Sequence, residues 1–232
     1  RDLHNVAHSF PTRRSSDPVP LFALFMNNAG TLGAAARAHG PWRMFARLLH
    51  RLHRNTRAGS MRNIHAHYDL GNDFYAAWLD PTMSYSSARL VDENLEAAQH
   101  RKIAAIANRL GDPVSVLEIG CGWGSLASHL AARGAGVTAI SLSDEQLGWA
   151  RRHHAAATID FRKQDYRDVR GQFDGIASVE MVEAVGQEYW PSFFDCIARC
   201  LKPGGRAAIQ YICIRDDLFE AYARSADFIQ AY

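Results

Sequence analysis

No stretch of this chain stays apolar for the roughly 20 residues a membrane-spanning helix needs, and no signal peptide is visible in it. Cysteine is sparse. Cys121, Cys196, Cys200 and Cys213 form no C-x-x-C pair and sit in apolar or helical contexts. That usage excludes a disulfide scaffold and a cysteine zinc site, and it fits a reducing cytoplasm. His65-x-His67 lacks a third and fourth ligand at a plausible spacing, so no metal centre is expected. A formal net charge of +2 is too small for the whole chain to bind nucleic acid by charge. One region has no acid at all: Arg37, Arg43, Arg47, Arg51, Arg54, Arg57 and Arg62 follow one another without an intervening Asp or Glu.

What is present is apolar material for one core, 47% of 232 residues. Residues 1–17 stand apart. There is no initiating methionine, and His8 to Asp17 resembles one reading frame of a common DNA-sequencing adapter, so an artefactual disordered tail is expected there. The far end stops at Phe228 to Tyr232 inside a helical pattern, which marks the chain as a C-terminally truncated fragment. Residues 18–62 read as a basic helical region. Within it Pro41 to Arg54 carries Met44, Phe45, Leu48, Leu49 and Leu52 on one helical face and arginines on the rest. Such a helix suits an anionic membrane surface or, equally, a packed position with a solvated basic side.

Residues 63–90 are polar and aromatic with no clean period. Leu95, Gln99, Ile103, Ile106 and Leu110 repeat as one helix, which Gly111-Asp112-Pro113 ends. Strands at 114–119, 136–141, 158–163, 173–179 and 206–213 then alternate with helices at 125–133, 144–156, 188–201 and 216–231. That alternation predicts an α/β fold with a doubly wound parallel sheet and right-handed crossovers. Its ligand should lie beyond the carboxyl ends of the strands, where their order reverses.

The most informative stretch is Val114 to Gly124, an apolar run that stops on Gly120, Gly122 and Gly124. Glycines there let the backbone turn tightly and approach a ligand, and the following helix points its free N–H groups the same way. A dinucleotide site would want G-x-G-x-x-G with an acid about 20 residues later. Here Ser125 stands where the third dinucleotide glycine belongs. The next strand ends on Ser141-Leu142-Ser143, with no carboxylate before Asp144. Leu-Glu-Ile-Gly-Cys-Gly-Trp-Gly instead resembles the first motif of S-adenosylmethionine-dependent methyltransferases, with Glu118 as the acid near the ligand's amino group.

Further blocks carry a narrower resemblance. They are His67 to Tyr75 (HYDLGNDFY), Leu79 to Ser86 (LDPTMSYS), Ser141 to Gln146 (SLSDEQ), Gln164 to Asp168 (QDYRD) and Ser178 to Gly186 (SVEMVEAVG). Together with the glycine turn, and in this order from about Asn63 to Tyr232, they resemble the cyclopropane-fatty-acid synthase family. The resemblance implies a Rossmann-like class I methyltransferase domain over 63–232 that moves a methyl group from S-adenosylmethionine to the cis double bond of a phospholipid acyl chain. It further implies a soluble enzyme working at the membrane surface, here the inner, cytoplasmic face. By position, Tyr85 and Ser86 would close over the cofactor, and Gly120, Gly122 and Gly124 would lie under its methionine part. Ser141, Leu142 and Gln146 would meet its ribose and adenine, with Asp165 and Tyr166 at the adenine edge. Trp123 either walls that pocket or fills core.

Methylation leaves positive charge on the chain, which fixed negative charge can stabilise, and closing a ring requires a base. In the family that base is thought to be a bound bicarbonate held partly by a glutamate matching Glu183; a helix-start carboxylate favoured by the dipole is the plainer alternative. Two further holders of bicarbonate depart from the family: a cysteine is replaced by Ser87 and a histidine by Gln210. Both can still donate to an anion. A methyl-branched or methylene product, or a degenerate cofactor-binding homologue, therefore remains open beside a cyclopropane. Cys196 and Cys200 share a helix face as small buried hydrophobes, Cys121 packs under the turn, and His153-His154 is expected as a solvated helix end.

Overall fold

The structure is a computed structural model, and it describes residues 23, 24, 27, 28, 71–89, 94–154 and 159–223. The basic helix at 41–54, the His65-x-His67 pair, His67 to Leu70 and the last part of the closing helix lie outside the described residues. The chain divides into two compact units, 1–49 and 50–232, and everything below concerns the second.

Five parallel strands form its frame: β1 (Ser115–Ile119), β2 (Gly136–Ser141), β3 (Ile159–Lys163), β4 (Phe173–Val179) and β5 (Leu201–Gln210). Their order is β3-β2-β1-β4-β5, so the winding reverses between β1 and β4. The helices are α1 (Gly71–Ala76), α2 (Leu95–Leu110), α3 (Ser125–Ala132), α4 (Asp144–His153), α5 (Val182–Val185), α6 (Trp190–Cys200) and α7 (Asp216–Ala223). The expected α/β sheet is the one observed.

Side-chain alternation explains the two layers. Val116, Val137, Ala139 and Ala177 pack on one face with Ile103, Ile106, Leu126, Leu130 and Leu147. Leu117, Ile119, Ile140 and Ile176 pack on the other with Phe193, Cys196, Ile197 and Cys200 of α6. Each large apolar side chain so buried contributes about 1.5–3 kcal/mol. Caps fix the helix starts: Asn94 accepts from the Ala97 N–H at 2.8 Å and Ser143 from the Gln146 N–H at 3.2 Å.

Several boundaries shift for local reasons. Val114, expected at the start of the first strand, is 79% exposed and precedes β1. β5 begins at Leu201, five residues before the expected 206, because Leu201 already pairs with Phe173. The Pro203-Gly204-Gly205 turn then survives as an irregularity within the strand. Its pairing stops at Gln210, short of 213, once β4 has no further residue to offer. The helix expected over 188–201 divides into a 3-10 turn at Gln187–Tyr189 and α6, whose first turn holds Pro191.

Candidate functional site

All five strands point their carboxyl ends at one edge. Gly120 follows β1, Leu142 follows β2, Gln164 follows β3, Glu180 follows β4 and Tyr211 follows β5. The residues singled out in the sequence converge there because a parallel sheet brings every such turn to the same side.

The glycine corner is tied to β2, since the N–H groups of Gly120 and Cys121 both donate to the Ile140 carbonyl at 3.0 Å. Gly120 (φ +79°) has no room for a Cβ, because the Met181 side chain lies against it. Gly122 (φ +53°) faces open space, with nothing within 4 Å of where a Cβ would be. The corner thus leaves its backbone bare for a ligand at Gly122 and closes against the β4 turn at Gly120. Glu118, one residue before the end of β1, is 3% exposed, and its Oε2 has no hydrogen-bond partner. Burial pushes its carboxyl up to about 8, opposed only in part by the Ala127 N–H. An unsatisfied buried carboxylate beside bare backbone is what a ligand with an ammonium group would complete.

On the β2 side the ends are closed internally. Ser141 donates to Gln146 Oε1 at 3.2 Å and accepts the Ser143 N–H at 3.2 Å; both side chains are buried, and Leu142 is half-buried between them in sequence. Asp165 binds Arg167 through its backbone N–H (2.9 Å), Nε (2.8 Å) and NH2 (2.6 Å). Tyr166 turns inward: it is buried in the second core, its hydroxyl 3.2 Å from Ser192 Oγ. The ring expected at the adenine edge therefore supports that turn from within the core.

Residues 71–89 lie across this edge. Trp123 Nε1 donates to Asn72 Oδ1 at 2.7 Å, and its buried ring packs with Tyr75 and Met83. Ser125 Oγ donates to the Thr82 carbonyl, a second tie between segment and corner. Tyr85 is exposed and meets Tyr75 and Trp78 edge-on at 5.5 and 5.6 Å. Ser86 accepts at Oγ from Lys102 Nζ (2.6 Å) and at its carbonyl from Gln99 Nε2 (2.8 Å).

The β4 end gathers the acids. Glu183, in the first turn of α5, accepts the Ile212 N–H, and its Oε2 is buried without a partner. Ser87 and Gln210 do come together, but on a residue the sequence reading passed over. Glu180 Oε1 accepts the Ser87 N–H at 3.0 Å, the Ser87 hydroxyl at 2.5 Å and Gln210 Nε2 at 3.0 Å. Lys102 was missed as well. It is buried on α2, where desolvation lowers its ammonium to about 8 against the attraction of Glu180 and Asp80. Its signal was a lysine beside Ile103 on the apolar face of that helix.

Cys121, Cys196 and Cys200 are buried as small hydrophobes, whereas Cys213 is exposed. Burial pushes the Cys196 thiol up to about 12 and also raises the Cys121 thiol well above its usual range. Of the two helix-end histidines, only His154 departs from the expected solvated position. His153 is exposed and stacks on Trp149 at 3.7 Å. His154 is half-buried, with its Nε2 unpartnered and its ring beside Phe161, and burial lowers its pKa. An open cleft of about 540 Å³ between α1 and α4, lined by Asn72, Glu145, Trp149 and His153, involves none of the corner glycines. Among the described residues no three His, Cys, Asp or Glu side chains gather as a metal site, and no helix is long and apolar enough to cross a membrane.

Comparison with known proteins agrees with this geometry. A tuberculostearic acid methyltransferase of Mycobacterium tuberculosis, UfaA1, is 42% identical over 193 residues, 77% of this chain and 45% of that protein. The cyclopropane-fatty-acyl-phospholipid synthase of Escherichia coli is 42% identical over 143 residues, 60% of this chain and 37% of that protein. The chain spans less than half the length of these curated relatives. The crystal structure of mycolic acid cyclopropane synthase CmaA1, complexed with SAH and CTAB, superposes with a TM-score of 0.58. Its identity is 29%, over 61% of this chain and 53% of that one. The family model described as mycolic acid cyclopropane synthetase matches residues 55–232, and the chain belongs to that family.

Proposed function

We propose that this chain is the catalytic domain of an S-adenosylmethionine-dependent methyltransferase acting on the cis double bond of unsaturated phospholipid acyl chains. The observation that carries the proposal is the meeting of two strand ends. The Gly120 corner and the Glu180–Glu183 turn touch through Met181, so bare backbone and paired acids share one edge. The relatives' names point to lipid carbon as the acceptor. On this reading residues 63–232 form the methyltransferase domain, and the basic region 18–62 precedes it.

When bound, S-adenosylmethionine supplies an electrophilic methyl group on a sulfonium. Gly120, Gly122 and Gly124 would lie under its methionine part with Glu118 at the ammonium, and Ser141, Leu142 and Gln146 would take the ribose and adenine. Asp165 would hold the adenine edge, with Tyr166 bracing its turn, and Tyr85 and Ser86 would close the near side. The remaining work falls to positioning and charge. An alkene is a weak nucleophile, so the chain must hold it aligned and dry. The exposed apolar run Tyr211, Ile212, Ile214 and Leu218 begins one residue past Gln210 and offers an acyl chain a surface beside Glu183. That run, with the basic segment 37–62, supports work at the inner membrane face. Glu183 then stabilises the positive charge that methylation leaves on the acyl chain.

A bound bicarbonate does not fit this site as found, since the Ser87 and Gln210 donors that would hold it are already on Glu180. The product on the primary reading is a cyclopropane fatty acid. A methyl-branched product is the second reading, favoured by the substitution of Ser87 and Gln210 and by the name of the tuberculostearic acid methyltransferase. Mass spectrometry of lipids from cells expressing a full-length version tests the assignment. Monounsaturated chains should gain one CH2. A gain of CH2 with two further hydrogens marks a reduced branch, and unaltered lipids despite cofactor binding would mark a degenerate homologue.

A further inference from the structure

We propose that Glu180 is a built-in substitute for an exchangeable anion: its carboxylate fills the position framed by Ser87 and Gln210 and accepts the proton that the methylated acyl chain must lose. The inference rests on the lipid-methylation reading and assigns the base within it.

Four observations carry it. First, one oxygen of Glu180 receives three donors, the Ser87 N–H, the Ser87 hydroxyl and Gln210 Nε2, at 2.5–3.0 Å. Convergent donors of that kind define an anion site, and a side chain of the protein already occupies it. A second anion on the same donors would have to displace the first against like-charge repulsion. Second, the backbone is held for the purpose. Glu180 sits at φ +49°, one of two described non-glycine residues with positive φ, at a cost of about 1 kcal/mol that glycine would not incur. Its N–H donates to the Gln210 carbonyl at 2.8 Å, which fixes the strained residue to β5. Third, Lys102, which is attracted to Glu180, is itself fixed by its 2.6 Å bond to Ser86, so a positive charge is held near the carboxylate. Fourth, Glu180 is only half-buried and lies at the edge where Met181 meets the glycine corner, so its oxygens are accessible to a substrate there.

The step balances without an oxidant or reductant. A C–H bond of the newly attached methyl group breaks, and its electron pair closes the ring C–C bond or, once a 1,2-hydride shift has moved the cation to the carbon bearing the methyl group, forms a methylene C=C bond there. The cationic carbon becomes neutral, and the proton goes to the Glu180 carboxylate and from there to water. The Glu183 carboxylate, in the first turn of α5, stabilises the cation.

The test uses the full-length protein in carbon-dioxide-stripped buffer, with Glu180→Gly and Glu180→Gln. Glycine suits the positive φ, so relief of that backbone strain should offset part of the lost hydrogen bonds and let Glu180→Gly fold. Binding is read by line broadening of carbon-13 bicarbonate and turnover by methyl transfer to vesicles of unsaturated phospholipid. The parent should bind no bicarbonate at ~20 mM and turn over equally with or without it, while Glu180→Gln should lose about 100-fold or more. Glu180→Gly should bind bicarbonate and recover about 10-fold of its lost rate when bicarbonate is added. Bicarbonate binding by the parent, a parent rate that collapses on stripping, or a fully active Glu180→Gln would overturn the proposal. A parent that methylates no lipid would sink the methyltransferase reading instead, and the binding contrast between parent and Glu180→Gly would still decide what fills the site.

Discussion

The two strand ends that flank the reversal of the sheet solve opposite problems. After β1 the chain turns on glycines, and Gly122 holds φ +53° without strain while leaving open space above it. After β4 it turns on a glutamate at nearly the same φ, +49°, and accepts strain to keep a carboxylate there. A glycine corner yields room and bare N–H groups. A glutamate corner yields charge held in one place. The proposed reaction would use both: room for a large cofactor, and fixed negative charge where a cation develops. The acids differ in the same sense. Glu118 is buried with one oxygen short of a partner, whereas one oxygen of Glu180 already accepts three donors from its own chain.

The largest expected effect lies on the β4 side. Glu183→Gln should lower kcat by about 1,000-fold through loss of charge stabilisation, with S-adenosylmethionine affinity, read by calorimetry, within about 3-fold. Equal losses in both would merge the two corners into one function and break the contrast. Next come the glycines. Gly120→Ala drives a Cβ into Met181 and should cost about 2–4 kcal/mol in denaturant unfolding. Gly122→Ala should cost only about 1 kcal/mol yet weaken cofactor binding about 10-fold or more, because its Cβ enters the ligand's space. If both behave alike, the open space at Gly122 is not a binding surface.

A smaller effect is read in pH. The Glu118 carboxyl holds its proton up to about 8 in the folded chain but loses it near 4.5 when unfolded. Between those values the folded state binds more protons, so the Glu118 contribution should make stability fall as pH rises, by at most about 1.4 kcal/mol per pH unit. Glu118→Gln should remove that slope. Binding an ammonium beside Glu118 should release a proton below pH 8, seen as buffer-dependent binding enthalpies at pH 6.5–7 that Glu118→Gln abolishes. The smallest change expected is Trp123→Phe, which loses the bond to Asn72. It should cost about 1 kcal/mol of stability with cofactor affinity nearly unaltered. A large affinity loss there would return Trp123 to the pocket wall.

The frame of the sheet was legible because its signals are local. β2 and β4 fall where short β-branched runs end, α2 spans the expected 95–110, and the glycines announce the corner. Irregular pairing was not legible, because β5 takes its register from β4 and not from its own composition. The sequence left the aim of Trp123 open and did not show Tyr166 turning into the core, since inward or outward aim depends on partners such as Asn72 and Ser192. Glu180 was quoted in its motif and passed over. Its partners stand 93 and 30 residues away, a separation no local spacing reveals. Lys102 was hidden by the habit of reading a helix face for its apolar members alone.

The central claim is that a cofactor methyl placed by the β1 corner reaches lipid carbon and then loses a proton to the acids after β4. Incubating full-length protein and unsaturated phospholipid with S-adenosylmethionine bearing a CD3 group tests it most directly. The account predicts lipid product that retains two of the three deuterium atoms, the third having gone to a carboxylate and on to solvent. Product that keeps all three, or lipid with no deuterium at all while the cofactor is bound, would contradict it.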